Sequence, residues 1–263
     1  MNSSDAPLRV RRDGSLLVLT LDRPDRLNAV SLPLYRSLLE AFEAAEGDRG
    51  LRAVVITGEG RGFCVGADLK AHDQDRLDPE ARQRYVRAAQ EVNRRIQTHP
   101  LPVVAAVNGH AVGAGLELAL SADFAVANEE AKLRLPEMAL GTFVGGGVTY
   151  TLPRRVGIGK ARELLLLCPF VTGREAAEIG LVDEAVPADA VLERAEALAR
   201  ELARKAPESV RLLKGLLSRA HRLGREEALD AEARALLRCM ETGDWEEGIR
   251  AFHEDREPRF TGE

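Results

Sequence analysis

At 263 residues, with 45 % hydrophobic and 30 % charged residues and a net charge of −5, the chain can bury a substantial core, and its acidic balance argues against nucleic acid as a partner. No apolar run approaches the ~20 residues of a membrane span, and the opening MNSSDAP has neither the basic nor the apolar region of an export signal, so a soluble, cytoplasmic protein is expected. Cys64, Cys168 and Cys239 form no C-x-x-C pair and the five histidines no H-x-x-x-H spacing, which predicts reduced thiols and no metal centre.

The first strong element is Ser15 to Leu21 (SLLVLTL), a predicted strand stopped by Asp22-Arg23-Pro24-Asp25. Leu32 to Ala45 places Leu34, Leu38, Leu39 and Phe42 at amphipathic-helix spacing, with Ser31 as N-cap and Pro33 in the first turn. Arg52 to Thr57 reads as a short buried strand closed by Gly58-Glu59-Gly60. The same pattern recurs at Pro102 to Val107, at Phe124 to Ala127 and, less clearly, at Val182 to Val186. Strands separated by helical segments imply parallel pairing, because a crossover needs a dozen or more residues. Beyond Pro187 the text turns Ala-, Leu-, Glu- and Arg-rich, predicting helices over Val191 to Arg204 and Ser209 to Arg238. The expected division is a core of residues 1–204 and a helical region of residues 205–263, whose apolar faces must bury against the core or against another subunit.

Three glycine-bearing elements can carry chemistry. In LPVVAAVNGHAVGAGLELAL (Leu101 to Leu120) a strand leads through Gly113-Ala114-Gly115 into a helix starting near Leu116, a junction that offers unpaired backbone N–H groups at the positive end of a helix dipole. A dinucleotide site is disfavoured, since the third glycine of G-x-G-x-x-G is missing. The glycines can equally serve close packing alone, with Glu117 only favouring the first helical turn. In GRGFCVGADLK (Gly60 to Lys70), Gly66-Ala67-Asp68 can present another N–H; on the residues alone, Asp68 is better read as a helix cap. In LRLPEMALGTFVGGG (Leu133 to Gly147), Glu137 stands among Leu135, Met138 and Leu140. Such surroundings would desolvate its carboxyl and raise its pKa toward the range of proton transfer.

Taken in order, Leu27-Asn28-Ala29, Gly62 to Leu69, Val103 to Gly109, Gly113 to Ala119, Leu135-Pro136-Glu137, Leu140-Gly141 and Gly145 resemble the crotonase (enoyl-CoA hydratase/isomerase) superfamily over about 150 residues. The resemblance implies an α/β fold, a spiral of β-β-α units with a C-terminal helical trimerisation region, and assembly as a homotrimer or homohexamer. It implies an acyl-CoA substrate, with coenzyme A arriving as part of that substrate and no permanently bound cofactor. The N–H groups of Ala67 and Ala114 would form the oxyanion hole; alanine at 114, where glycine is common, serves as well because the donor is backbone. Glu117 and Glu137 match the two hydratase acids, with Glu117 activating water, Glu137 protonating the α-carbon, and Gly145, at the start of the next helix, helping to hold the water.

CoA is expected to lie near Arg26, Leu27, Ala29, Arg61, Gly66, Asp68, Leu69 and Lys70, with Arg61 and Lys70 as cationic candidates for its phosphates, and against the C-terminal aromatic Phe252. Asp255 stands where the family usually has lysine, with Arg256 beside it. Phe143 to Tyr150 departs as well: hydratases more often have proline before the first glycine and a Gln-Arg pair at the end. This loop borders the acyl pocket. The leading expectation is hydration of an enoyl-CoA; the alternatives are a Δ3,Δ2-enoyl-CoA isomerase, which would leave Glu117 non-essential, or a crotonase-type step of aromatic or secondary metabolism. An RNA-binding role is opposed by the acidic balance, and a serine hydrolase by the lack of a G-x-S-x-G elbow.

Overall fold

The computed structural model describes residues 6–68 and 78–263. Its organising unit is a pair of strands, one in each of two sheets, followed by a helix, and an N-terminal hairpin adds two strands to the larger sheet. The larger sheet has the order β1-β2-β3-β5-β7-β10, with β1 Leu8–Asp13, β2 Leu16–Leu21, β3 Ala53–Gly58, β5 Val103–Val107, β7 Phe124–Asn128 and β10 Glu184–Val186. The smaller has the order β4-β6-β8-β9, with β4 Gly62–Cys64, β6 His110–Val112, β8 Lys132–Arg134 and β9 Val171–Thr172. Pairing is parallel from β2 through β10 in the first sheet and from β4 through β8 in the second, while β1–β2 and β8–β9 are antiparallel.

The larger sheet is covered on both faces, which is why its strands read as unbroken apolar runs. On one face Leu17, Leu19 and Leu21 join Val54, Ile56, Val103, Ala105 and Val107 beneath α1 (Leu32–Gly47), α2 (Pro79–Thr98) and α3 (Ala114–Ser121). On the other, Leu16, Val18, Val55, Val104 and Val126 meet Val191, Ala195 and Ala199 of α6 (Val191–Ala203). The amphipathic stripe predicted for α1 buries Leu34, Leu38 and Phe42 completely, and the Ser31 side chain accepts from the Leu34 N–H as anticipated.

Several elements differ from expectation. The helix expected near Leu116 starts at Ala114, because the Gly113 carbonyl already accepts from the Glu117 N–H at 3.0 Å. The helix after Gly145 starts at Val148 (α4, Val148–Leu166), so Gly145 lies in the loop before it. The helix expected across Ser209 to Arg238 is broken into α7 (Pro207–Leu217) and α8 (Arg225–Met240), with a 3-10 turn between them. The Tyr150 hydroxyl donates to the Ser218 carbonyl at 2.7 Å, giving that carbonyl an acceptor role outside the helix at the break. The chain continues through α5 (Gly173–Glu178) in the core and ends in α9 (Gly243–His253).

One buried cation ties α7 to the core. Lys214 Nζ donates to the Ile96 carbonyl (3.1 Å), the Leu101 carbonyl (3.1 Å) and Asp123 Oδ2 (2.6 Å), and that carboxylate also accepts from the Val103 N–H (2.7 Å). Lys214→Met strands Asp123 and two carbonyls together. It is expected to destabilise by about 3 kcal/mol, near the low end for breaking a buried pair, and so to lower Tm by roughly 6–12 °C in a calorimetric melt.

Candidate active site

The site is assembled by the smaller sheet. β4, β6 and β8 run parallel, Gly62 opposite His110 and, after a one-residue register shift, Cys64 opposite Ala111, with Ala111 opposite Leu133 and Val112 opposite Arg134. Their C-terminal ends therefore deliver Gly66-Ala67, Gly113-Ala114 and Pro136-Glu137 side by side, the position where parallel α/β sheets place ligands.

The first two segments supply backbone donors. Val30 N–H donates to the Gly66 carbonyl (2.8 Å) and Asp68 N–H to the Val30 carbonyl (3.0 Å), a rung that turns the Ala67 N–H the other way. Ala114 is the first residue of α3, and Gly113 anchors it by donating to the Arg134 carbonyl at 2.9 Å. Among the described residues neither the Ala67 nor the Ala114 N–H has an acceptor. The two segments touch: a Cβ on Gly66 would lie 2.8 Å from the Val112 carbonyl oxygen and 3.6 Å from the Ala114 nitrogen. Two unsatisfied N–H groups thus flank one space, one of them at a helix N-terminus, where negative charge is favoured. Close packing fixes the second: a Cβ on Gly115 would stand 2.0 Å from the Cys64 carbonyl oxygen, so α3 lies directly against the end of β4.

Two carboxyls face this space. Glu117, one turn into α3, is 5 % exposed, and its Oε1 accepts from the Gly145 N–H at 3.0 Å. Burial pushes its pKa up, and the Gly146 and Gly145 amides oppose that shift by favouring the carboxylate. Glu137 opens the 3-10 turn Glu137–Leu140. Its Oε1 lies 2.8 Å from the position of a Cβ on Gly113, whose φ of +54° calls for glycine. Its Oε2 is buried with no hydrogen-bond partner. Burial raises its pKa, and the neighbouring Glu117 charge raises it further against the pull of its own backbone N–H.

Of the residues expected at the CoA end, those within the described residues gather on the β4 side. Leu27 and Ala29 flank Asn28, which is fully buried and whose amide donates to the Glu59 and Gly62 carbonyls (2.9 and 2.8 Å). Arg26 and Arg61 are exposed and, among the described residues, pair with no carboxylate. Leu69 and Lys70 lie outside the described residues, as does the segment on which the capping expected of Asp68 falls; Asp68 forms an ion pair with Arg23 at 2.8 Å, and Arg23 also donates to the Ala29 carbonyl. Phe252 stands 82 % exposed on α9, and Arg256 is held by Glu247 and Glu254.

Four neighbours of the carboxyls were not singled out in the sequence. Tyr35 of α1 and Tyr85 of α2 pack with ring centroids 5.4 Å apart next to Glu117, while Asn93 of α2 and Ser121 of α3 are buried behind it. Tyr85 and Asn93 lie on a helix whose dominant text is polar and carried no motif. On its far side the Gly145–Gly147 loop lines a cavity of about 870 Å³ together with Gln97, Ser121, Tyr150, Thr151 and Arg154.

A coil of strand pairs and helices that sets two backbone amides beside one buried and one half-buried carboxyl defines a protein able to hold an oxyanion beside acid–base groups. Residues 11–263 match the family model for enoyl-CoA hydratase/isomerase. A putative enoyl-CoA hydratase of Thermus thermophilus is 43 % identical over 94 % of this chain and 98 % of its own length. The 2,3-dehydroadipyl-CoA hydratase of Escherichia coli is 37 % identical over 97 % of this chain and 98 % of its own length. The crystal structure of an enoyl-CoA hydratase from Bacillus anthracis superposes with a TM-score of 0.94 at 34 % identity, covering 98 % of this chain and all of that one. The chain belongs to the enoyl-CoA hydratase/isomerase family and has the crotonase fold.

Proposed function

We propose that the protein hydrates the 2,3 double bond of an enoyl-CoA thioester, with Glu117 and Glu137 as its two acid–base groups. The observation that carries this reading is that a buried Glu117 and a half-buried Glu137 stand beside the same pair of amides, with Glu117 oriented by the Gly145 N–H and Glu137 presenting a buried Oε2 that has no partner among the described residues. The Ala67 and Ala114 N–H groups hold the thioester oxygen. Glu117, as carboxylate, takes a proton from water while the water oxygen bonds to C3. The C=C electron pair moves to an enolate whose oxygen sits between the amides, and protonated Glu137 gives its proton to C2. Glu117 ends protonated and Glu137 ionised, and proton exchange with solvent water resets the pair.

Crotonyl-CoA is the test substrate. Loss of the conjugated absorbance, with a product heavier by one water, supports the reading; a product of unchanged mass made equally well by Glu117→Gln would replace hydration with double-bond isomerisation. CoA is assigned to the surface formed by Arg26, Leu27, Ala29, Arg61, Gly66 and Asp68, where the two exposed guanidinium groups of Arg26 and Arg61 suit phosphates. Residues 1–204 are taken as the catalytic core, and residues 205–263 as the region that assembles subunits in the cytoplasm. Exposed Leu213, Leu236, Leu237, Ile249 and Phe252 favour burial against a second copy, and sedimentation is expected to return a trimer or hexamer.

A further inference from the structure

We infer that Asn93 and Ser121 are positioning residues for Glu117, acting through the Gly145–Gly146 loop, an inference that rests on the hydratase reading above. Both are polar and buried, Asn93 2 % and Ser121 5 % exposed, between α2 and α3, where packing alone would be served by apolar side chains.

Their hydrogen bonds form a closed set. Ser121 Oγ lies 2.7 Å from Asn93 Oδ1 and 2.9 Å from the Glu117 carbonyl oxygen, so its single proton serves one of these two acceptors, and it accepts in turn from Gln97 Nε2 at 3.2 Å. Asn93 Nδ2 donates to the Ala89 carbonyl at 2.8 Å. With the Ser121 proton on the shorter, 2.7 Å contact to Asn93 Oδ1, both ends of the amide are engaged and its plane is fixed. Gly146 rests on that plane: a Cβ there would stand 2.8 Å from Asn93 Nδ2, 3.0 Å from Asn93 Cγ and 2.9 Å from Glu117 Cβ. The glycine is wedged between the amide and the stem of the glutamate, and the N–H groups of this loop are those that favour the Glu117 carboxylate. The path therefore runs from Ser121 to Asn93, to Gly146 and to the Glu117 carboxyl.

Loosening the loop weakens the amide donors and leaves burial unopposed, which moves the Glu117 pKa upward. The titratable groups around that carboxyl are Glu137 from the 3-10 turn, Tyr85 from α2 and Tyr35 from α1, with Cys64 of β4 next to both tyrosines. Tyr85 and Cys64 are pushed up to about 12 and Tyr35 is also raised, so only the two carboxyls titrate on the acid side.

The experiment is steady-state hydration of crotonyl-CoA across pH by Asn93→Ala, Ser121→Ala and Ser121→Thr, each also in the Glu117→Gln background. Asn93→Ala is expected to lower kcat about tenfold, as a displaced catalytic group does, with KM little changed and the acid limb of kcat moved to higher pH. Ser121→Ala should do the same to a smaller degree, Ser121→Thr should restore the parent profile, and none should alter the residual rate of Glu117→Gln. A folded Asn93→Ala with parental kcat and acid limb overturns the inference, as does a loss of rate that persists unchanged in the Glu117→Gln background. Should Asn93→Ala fail to fold, Ser121→Ala decides by the same criteria from the other end of the network. Parental activity in Glu117→Gln alone would instead sink the hydratase reading.

Discussion

Glu117→Gln and Glu137→Gln are each expected to lower kcat for hydration roughly 10³-fold, within the 10²–10⁴ typical of a positioned acid or base. Glutamine keeps the shape of the side chain, and at position 117 its carbonyl can still accept from the Gly145 N–H at the 3.0 Å contact, so the loss reports proton transfer rather than collapse of the site. Stability supplies the control. Both carboxyls have folded-state pKa values above the ordinary 4.5, so the folded protein holds their protons more tightly than the unfolded chain. Below about 4.5 the groups are protonated in both states and burial costs little. As pH rises through the raised folded values, stability is lost, because the folded state must then ionise a buried acid. At neutral pH the glutamine variants should therefore melt no lower than the parent while losing activity. A variant that loses Tm and rate together would point to a structural role.

The same shifts set the pH dependence of the reaction. Water addition needs Glu117 ionised and Glu137 protonated, so kcat should fall on the acid side as Glu117 takes up a proton and on the alkaline side as Glu137 loses one. Each carboxyl lies in the field of the other, so the two apparent values belong to the pair. A rate that stays flat from pH 5 to pH 9 would contradict the assignment of both roles.

Ala114→Pro is expected to cost roughly 10²–10³ in kcat, the loss typical when one oxyanion donor is removed. Ala114 is the first residue of α3, a position at which a helix accepts proline because its N–H has no intrahelical partner. The substitution deletes the one donor and places ring carbon where the thioester oxygen would sit. Ala114→Gly keeps the N–H and should retain most of the activity. Near-parental kcat in a folded Ala114→Pro would remove the Ala114 N–H from the mechanism.

The sequence was informative where local pattern and burial coincide. The β2, β3, β5 and β7 strands are long enough and apolar enough to be read directly, and α1 shows its stripe and its Ser31 cap. The strands of the smaller sheet are only two or three residues long, below any period that alternation can reveal, and they were not read individually. β1 escaped for a related reason: as an edge strand it has the pattern of one buried residue followed by exposed arginines, which resembles a polar loop. The uninterrupted helix expected after Ser209 followed from the abundance of good helix formers; the break falls between Ser218, the C-cap of α7, and Gly224, the N-cap of α8, and a tyrosine hydroxyl 68 residues away bonds the Ser218 carbonyl there.

By itself the sequence determined which backbone segments are glycine-bearing, that Glu117 begins a helix and that Glu137 has apolar neighbours, and the motif order carried the family. The tertiary structure decided what these features mean together. Ala67 and Ala114 become neighbours because β4 and β6 pair in parallel, and Glu137 reaches Gly113 because β8 pairs next in the same direction. Whether a carboxyl is desolvated, and whether a backbone N–H is left without an acceptor, are properties of everything packed around it. Those neighbours come from distant stretches of chain, so no local reading of residues could supply them.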